Sequence, residues 1–372
     1  MKQRIFDHIK NLGGWTTNRK LILFSVDDYG SVRLHSAQAL SNLTQEGITP
    51  QKRFDQLDSL ENRTDLEELF SILRSVRDKK NNPAVFTPYA LPCNIDFDAT
   101  LASPSNTCIL ESTAETFKKL AAIEEEYKGA WECWQEGIEE GLMAPEFHGR
   151  EHFNLDIFNE LLANQDPGLL LALRNCSYIT VPGHRNFAFG WTAAFANRGE
   201  DEVRRFPEII LDGLKRFEEV YQTKPMVFTP PAQQFPVALD NEAPHWPIIA
   251  MDRPFMIKRE SKGRSKKYRF TQKKLDNGLV HIVRNVVFEP IRNPNFNAED
   301  FAMRQIEVAF RLKKPANISS HRVNFSGHIS PENRALGLAA LKGLLDRIVA
   351  RWPEVEFVSA GELAKMIASE ND

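Results

Sequence analysis

The chain has 372 residues, of which 42% are hydrophobic and 26% are charged. These fractions are ordinary for a globular protein, and they exclude a disordered, collagen-like or coiled-coil chain. The 47 Lys and Arg residues against 50 Asp and Glu leave a formal charge of -3, which gives no reason to expect a nucleic-acid partner. None of the four cysteines forms a Cys-x-x-Cys pair, which excludes zinc-finger and thioredoxin motifs.

The first ten residues carry charges every few positions and have no apolar centre, so we expect no signal peptide. No run approaches the roughly 18 apolar residues that a membrane span needs. The sequence therefore predicts a cytoplasmic protein without a transmembrane segment.

Short apolar runs alternate with amphipathic helical patterns along nearly the whole chain. The strand-like runs are 21–26, 84–89, 144–147, 226–229, 248–251, 316–320 and 355–358. The helical patterns cover 37–43, 65–77, 112–141, 202–221, 300–312, 332–351 and 360–368. Repeated strand-then-helix order predicts parallel strands joined by right-handed crossovers. About seven such units favour a closed (β/α) barrel over an open sheet.

Two stretches interrupt this rhythm. Residues 164–199 are rich in Pro, Gly and aromatic residues, which predicts a long loop excursion. Residues 253–296 hold a basic run, 258–274, and then an alternating strand pattern over 280–288. Asn277-Gly278 lies between extended segments, which is a hairpin signal. The basic run is typical of a solvated hairpin, and the alternative is a contact for an anionic substrate. We predict an N-terminal extension over 1–19 and one barrel domain over 20–370 that carries both additions.

Asp27 and Asp28 directly follow the first predicted strand. Barrel enzymes keep catalytic groups at the carboxyl ends of parallel strands. Adjacent acids at such a position can serve two roles, one as a metal ligand and the other as a base. The alternative is that they cap the following helix.

His148 and His152 follow the strand that ends at Phe147. Histidines four apart share one face of a helical turn and can converge on one ion. Glu151 does not stand where a zincin base stands, directly after the first histidine. The alternative is chance spacing of two structural histidines.

Two further strand ends carry candidates. His321 ends the strand that begins at Ala316, where an imidazole can act as a general acid, although a structural histidine is the alternative. Pro231 and Ala232 follow the strand over 226–229, and their backbone can direct an N–H at a substrate oxygen or simply form a stiff turn.

Taken together, these motifs resemble the polysaccharide deacetylase family, also called the NodB-homology family or carbohydrate esterase family 4, as a distant member. Ser25-Val-Asp-Asp-Tyr29 matches its Asp-Asp strand. His148-Gly-Arg-Glu-His152 matches its His-[Ser/Thr]-x-x-His element, with Gly149 in place of the hydroxyl residue. Residues 229–232 correspond to its Arg-x-Pro-[Phe/Tyr] segment, and His321 to its late histidine.

The resemblance implies a distorted (β/α)7 barrel and assigns a role to each matched residue. Asp28, His148 and His152 would hold a divalent metal, most often zinc, with cobalt or nickel as alternatives. Asp27 would take a proton from the attacking water, and His321 would protonate the leaving amine. The implied reaction is removal of an acetyl group from an N-acetylated or O-acetylated carbohydrate or another small acetylated substrate.

Two departures from the family pattern concern residues 229–232. Thr229 replaces the arginine that orients the base in the family, so a substitute from elsewhere in the chain, such as Arg150, Arg185 or Arg322, would be needed. Ala232 replaces the aromatic residue, which predicts a different substrate groove. His184, in the predicted loop, is a weaker candidate for lining the site.

Two other functions remain open at this point. Thr229 and Ala232 are also what a catalytically decayed carbohydrate-binding or regulatory protein would show. A two-carboxylate glycosidase would need a second acid roughly 5–10 Å from Asp27. The absence of Gly-x-Ser-x-Gly, Gly-x-Gly-x-x-Gly and Gly-x-x-x-x-Gly-Lys motifs disfavours serine hydrolases, Rossmann enzymes and P-loop NTPases.

Overall fold

A computed structural model of the chain describes residues 2–180, 192–258, 266–268, 273–293 and 295–369. The strands are β1 (Lys20–Tyr29), β2 (Phe86–Ala90), β3 (Cys93–Ile95), β4 (Leu110–Ser112), β5 (Glu146–Phe147), β6 (Val227–Phe228), β7 (Ala250–Asp252), β8 (Met256–Lys258), β9 (Lys266–Tyr268), β10 (Lys273–Lys274), β11 (Val280–Ile282), β12 (Val286–Val287), β13 (Ala316–His321) and β14 (Val355–Phe357). The helices are α1 (Lys2–Ile9), α2 (Ala37–Gln45), α3 (Phe54–Leu57), α4 (Arg63–Ser75), α5 (Phe97–Leu101), α6 (Thr113–Ile123), α7 (Ala130–Glu139), α8 (Leu155–Ala163), α9 (Pro167–Arg174), α10 (Glu200–Val203), α11 (Phe206–Tyr221), α12 (Ala298–Arg311), α13 (Pro331–Arg351) and α14 (Ala360–Ser369).

One main sheet organises the molecule. Its strand order is β10-β11-β7-β6-β5-β2-β1-β13-β12, and β14 also pairs with β1. Every ladder in this sheet is parallel except that between β10 and β11. The sheet curls into half of a barrel, and within the described residues no ladder joins β12 to β10. The predicted α/β barrel architecture is therefore confirmed in a distorted form.

All seven predicted strands are present, at β1, β2, β5, β6, β7, β13 and β14. The helix predicted over 112–141 is wrong in its continuity, because the chain leaves the helical conformation at Glu124 and turns at Gly129 (φ 76°) between α6 and α7. The stretch 164–199 is not loop throughout, since α9 lies inside it with Asp166 accepting from the amide of Leu169. Residues 181–191 lie outside the described part.

The segment 253–296 contains two antiparallel pairs. β8 pairs with β9, and β10 pairs with β11 across the turn that Asn277-Gly278 predicts. The single strand predicted over 280–288 is instead two strands, β11 and β12. β11 pairs with β7 and β12 pairs with β13, so both belong to the main sheet. This segment therefore supplies strand ends to the edge of the sheet where the candidate site lies.

β1 is the buried centre of the sheet. Leu21 and Leu23 on one face pack with the cluster that includes α14, whereas Ile22 and Phe24 on the other face belong to the largest apolar cluster. A strand covered on both faces reads as a continuous apolar run, as 21–26 does. Among the residues described, no helix combines the length and apolarity needed to cross a bilayer.

Candidate active site

The first strand loses its regular geometry at its two acids. The register between β1 and β2 shifts between Val26 and Tyr29, and Asp28 has a φ of 77°. In a regular strand, successive side chains point to opposite faces of the sheet. The irregularity breaks that alternation, so both carboxylates take part in one polar site at the carboxyl end of the sheet. A left-handed, non-glycine residue costs about 1–3 kcal/mol and is typical of functional positions.

Asp28 meets both predicted histidines. Its Oδ1 lies 3.4 Å from Nε2 of His148 and 3.1 Å from Nε2 of His152. One ligand atom from each of the three residues falls within a mutual distance of 4.8 Å, and all three residues are buried. The geometry that the sequence predicts for these three residues is therefore present.

Backbone carbonyl groups fix the orientation of both imidazoles. Nδ1 of His148 donates to the carbonyl of Thr229 at 2.8 Å, and Nδ1 of His152 donates to the carbonyl of Thr192 at 2.7 Å. Because each Nδ1 carries the hydrogen, each neutral ring offers the lone pair of Nε2 to the space beside Asp28. Metal-binding histidines characteristically use their second nitrogen in this way.

The charge states also suit metal binding. Burial lowers the pKa of His152, which favours the neutral imidazole that a metal requires. Burial opposes ionisation of Asp28, but the adjacent His148 and His152 side chains outweigh it and hold the pKa of Asp28 well below its usual range. The site therefore combines an ionised Asp28 with a neutral His152.

These three residues fit a divalent cation such as zinc. Nε2 of His148 is buried and has no hydrogen-bond partner among the described residues. Tetrahedral zinc with ligand bonds of about 2.0–2.1 Å holds its donor atoms about 3.3 Å apart, and the two separations from Asp28 bracket that value. Three protein ligands leave a coordination position for water or substrate, as in catalytic rather than structural zinc sites.

Asp27 belongs to a second group of side chains. Arg284, which follows β11, holds it with two hydrogen bonds, Nη2 to Oδ1 at 2.6 Å and Nη1 to Oδ2 at 2.7 Å. The Nε of Arg284 donates to Asp252 at the end of β7, at 2.6 Å. Planar guanidinium groups favour such two-point contacts with carboxylates. Arg284 thus orients Asp27, which is the role that the family resemblance gives to an arginine at the position of Thr229.

His321 lies beside Asp27 because the two residues are register partners on adjacent parallel strands. Its Nε2 is 3.8 Å from Oδ2 of Asp27, and its Nδ1 donates to Glu289 at 2.5 Å. Burial disfavours the charged ring, but the Glu289 carboxylate outweighs it and raises the pKa of His321 to about 9. His321 therefore carries a proton at neutral pH.

Glu289 is itself held in place. Burial favours its neutral form, but the charge of His321 outweighs burial and lowers the pKa of Glu289 to about 2. Arg53 and Asn324 both donate to its Oε2. The carboxylate that holds Nδ1 of His321 is consequently ionised and fixed from a second side.

The arginines expected to orient Asp27 bind elsewhere. Arg150 pairs with Glu151 and with Asp212 of α11. Arg322 is buried against Asp58 and Glu61. The expectation for these two is wrong, because nearer carboxylates satisfy them. Arg185 and the weaker candidate His184 lie outside the described residues.

Pro231 and Ala232 lie in a short 3-10 turn after β6, where Pro231 is buried and Ala232 has a φ of 54°. This turn explains the glycine in the histidine motif. Gly149 has a φ of 107°, and a Cβ atom on it would lie 3.2 Å from Cγ of Pro231. A serine or threonine there would be strained and crowded. The role of this turn toward an oxyanion stays a prediction.

Arg284 and Glu289 are the functional candidates that sequence reasoning missed. Both fall in the segment interpreted as an insertion. A signal was present, because Glu289 directly follows the apolar run 286–288, as Asp27 follows the run 21–26, and because Arg284 interrupts the alternation over 280–288. Two short strands, each followed by a charged residue, would have fitted this pattern better than one long strand.

Comparison with known proteins gives similarity in structure only. No protein-family model matches the sequence, and no protein of curated function matches it. The structure is similar to one from Mycobacterium smegmatis described as a polysaccharide deacetylase, with a TM-score of 0.46 and 11% identity over 95% of this chain and 92% of the other. It is also similar to a branching enzyme from Pyrococcus horikoshii, with a TM-score of 0.46 and 10% identity over 94% and 70% of the chains.

A third similar structure is a family 4 acetyl xylan esterase from Clostridium thermocellum in complex with a cobalt ion. Its TM-score is 0.36, with 12% identity over 93% of this chain and 91% of the other. The function proposed below rests on the geometry of the site itself.

Proposed function

We propose that this protein is a metal-dependent deacetylase that removes acetyl groups from an N-acetylated or O-acetylated carbohydrate. One observation carries the proposal. The adjacent carboxylates Asp27 and Asp28 serve different groups, since Asp28 joins His148 and His152, whereas Asp27 joins Arg284 and lies 3.8 Å from His321. Hydrolysis of an amide or ester needs both a group that polarises the carbonyl and a base–acid pair.

Asp28, His148 and His152 would hold the divalent ion, which supplies a Lewis acid for the carbonyl and acidifies water. Asp27 accepts a proton from the water molecule whose oxygen forms the new bond to the acetyl carbon. The Arg284 clamp keeps the carboxylate plane fixed while leaving lone pairs on both oxygens. Because its pKa is raised to about 9, the His321 ring is doubly protonated at neutral pH, so it holds a proton on Nε2 besides the Nδ1 hydrogen that it donates to Glu289. That proton passes to the leaving nitrogen or oxygen when its bond to the acetyl carbon breaks.

The same contacts bear on the two rival functions. Thr229 was the reason to consider a catalytically decayed protein, because the family has an arginine there. Arg284, however, orients Asp27 in place of that arginine. A glycosidase needs a second acid free to act on the substrate. The neighbouring acids Asp252 and Glu289 are instead engaged by Arg284 and by His321 with Arg53. Hydrolytic deacetylation is therefore the function best supported by the site.

Asp27→Asn provides the direct test, because it keeps the shape of the side chain and removes the base. We expect the release of acetate from N-acetylglucosamine oligomers or acetylated xylan to fall about 10²–10⁴-fold, with the bound metal retained. Acetate and new reducing ends would be measured in parallel, with His245→Ala as a control at an exposed position. An unchanged rate in Asp27→Asn, or reducing ends without acetate, would overturn the proposal.

A further inference from the structure

A cavity of about 230 Å³ lies where β1 begins, at the end of the sheet opposite the candidate active site. Lys20 and Asp27 are seven positions apart on β1, which is about 23 Å at about 3.3 Å per residue. The residues that line the cavity come from 17–20 and from 310–314, at the end of α12. None of them is acidic, and five are cations: Arg19, Lys20, Arg311, Lys313 and Lys314.

Lys314 is the buried member of this lining, with only 2% of its surface exposed. Its Nζ donates to the carbonyl oxygens of Gly14 and Trp15, both at 2.8 Å. These bonds use two of the three ammonium hydrogens, and neither partner carries a charge. Burial lowers the pKa of Lys314 to about 8, and no carboxylate among the described residues offsets that effect. Because a buried charge without a counter-charge is costly, an anion in the cavity would stabilise Lys314.

Arg19 shares its carboxylate with two other cations. Its Nη2 lies 2.6 Å from Oε2 of Glu356, while Nζ of Lys79 and Nζ of Lys80 lie 2.8 and 2.6 Å from the same carboxylate. One negative charge therefore serves three positive charges. This part of the cavity surroundings stays positive although each cation has a partner.

The three remaining cations are also incompletely neutralised. Lys313 is exposed and forms no ion pair within the described part of the chain. Lys20 pairs with Glu354, and Arg311 pairs with Glu307, but these two carboxylates are 54 and 37% exposed and do not line the cavity. Water screens such exposed pairs, so they leave most of the field of the cations in place. A concave surface lined by charges of one sign concentrates that field.

We propose that this cavity binds a small anion that carries a phosphoryl group, either inorganic phosphate or an organic phosphate. Lys314 would contact the phosphoryl oxygens from the buried side, and Lys20 and Lys313 from the open side. Lys and Arg bind phosphate through charge-assisted hydrogen bonds. The volume lies below the roughly 300–1,000 Å³ of pockets for drug-sized ligands, so it suits a small ligand. A single carboxylate would leave most of this positive charge unpaired. The inference does not depend on the proposed catalytic function.

Isothermal titration calorimetry of the metal-free full chain tests this site. The probes are inorganic phosphate and glucose 6-phosphate at constant chloride concentration, with acetate as the comparison anion. We expect one phosphate-bearing probe to bind per chain with a Kd below about 1 mM, and acetate not to bind. Metal-free protein is used so that no ion held by Asp28, His148 and His152 can bind the probes.

Lys20→Glu combined with Lys313→Glu reverses two charges of the lining and should raise the Kd at least about tenfold. Lys118→Glu combined with Lys215→Glu is the matched control, because it changes the net charge equally at side chains that are 76 and 77% exposed. Its Kd should equal that of the wild type. Lys314→Met keeps the apolar stem and removes the buried charge, so it should also weaken binding. Circular dichroism would verify that all variants are folded.

The titrations also distinguish the two sources of the phosphoryl group. Tighter binding of glucose 6-phosphate would assign the cavity to an organic phosphate, and tighter binding of phosphate would assign it to the inorganic ion. Failure of both probes to bind the wild type would overturn the proposal. Wild-type affinity in the folded Lys20/Lys313 variant would overturn it as well, because the anion would then bind elsewhere.

Discussion

The two groups of side chains around Asp27 and Asp28 are built in different ways. The Asp28 group is oriented by backbone carbonyls, those of Thr229 and Thr192. The Asp27 group is oriented by charged side chains, Arg284 and, beyond His321, Glu289. Backbone contacts survive most substitutions, whereas a network of buried ions fails when one member is removed. The metal-binding group should therefore tolerate changes nearby, and the acid–base group should not.

The largest effect on stability is expected from Arg284→Met. It removes both contacts to Asp27 and leaves Asp252, which is fully buried, without its cation. We expect a loss of about 3–5 kcal/mol in the free energy of unfolding. The rate of acetate release should fall about 100-fold, because the base is misplaced. Denaturant unfolding and steady-state kinetics would measure the two effects.

A double variant separates the effect of Arg284 on stability from its effect on the rate. Adding Asp252→Asn to Arg284→Met removes the unpaired charge and should recover much of the stability, while the rate stays low. Recovery of the rate together with the stability would show that Arg284 acts only on folding. Metal content should equal that of the wild type in both variants.

Glu289→Gln should change how the enzyme responds to pH. In the wild type, the pKa of His321 is raised to about 9, so its stabilising pair with Glu289 is complete below about pH 6.5 and is lost as pH rises through about 9. Without the carboxylate, His321 loses its proton at lower pH. The alkaline fall in kcat/KM should move to lower pH accordingly.

The pH dependence of kcat/KM and of thermal unfolding would test this prediction. Glu126→Gln is a matched control, because Glu126 also accepts a hydrogen bond from a histidine Nδ1, that of His328. Its profile should match the wild type. An alkaline limb that stays in place in Glu289→Gln would exclude His321 as the acid.

The smallest catalytic effect is expected from Arg150→Ala. Its loss leaves the buried Glu151 carboxylate unpaired, so the free energy of unfolding should fall by about 1–3 kcal/mol. The rate should not change, because Arg150 binds Glu151 and Asp212 rather than Asp27. Arg216→Ala, which removes an exposed partner of Asp212, is the control for stability. A large loss of rate in Arg150→Ala would contradict the assignment of Arg284 as the orienting residue.

The same contrast explains what the sequence could predict. The strand over 21–26, its terminal acids and the histidine pair are local patterns, and strand ends in parallel sheets converge at one edge. His321 could be predicted for the same reason. The contact between Arg284 and Asp27 could not be predicted, because the two residues are 257 positions apart in the sequence and come together only when β11 pairs with β7.

Metal binding by Asp28, His148 and His152 is the central claim, and metal content tests it most directly. Purified wild type, Asp28→Ala, His148→Ala and the control His245→Ala would each be incubated with zinc, dialysed and measured by inductively coupled plasma mass spectrometry. We predict about one ion per chain in the wild type and the control, and none in the other two. Absence of metal from the wild type, or an equal content in Asp28→Ala, would contradict the account.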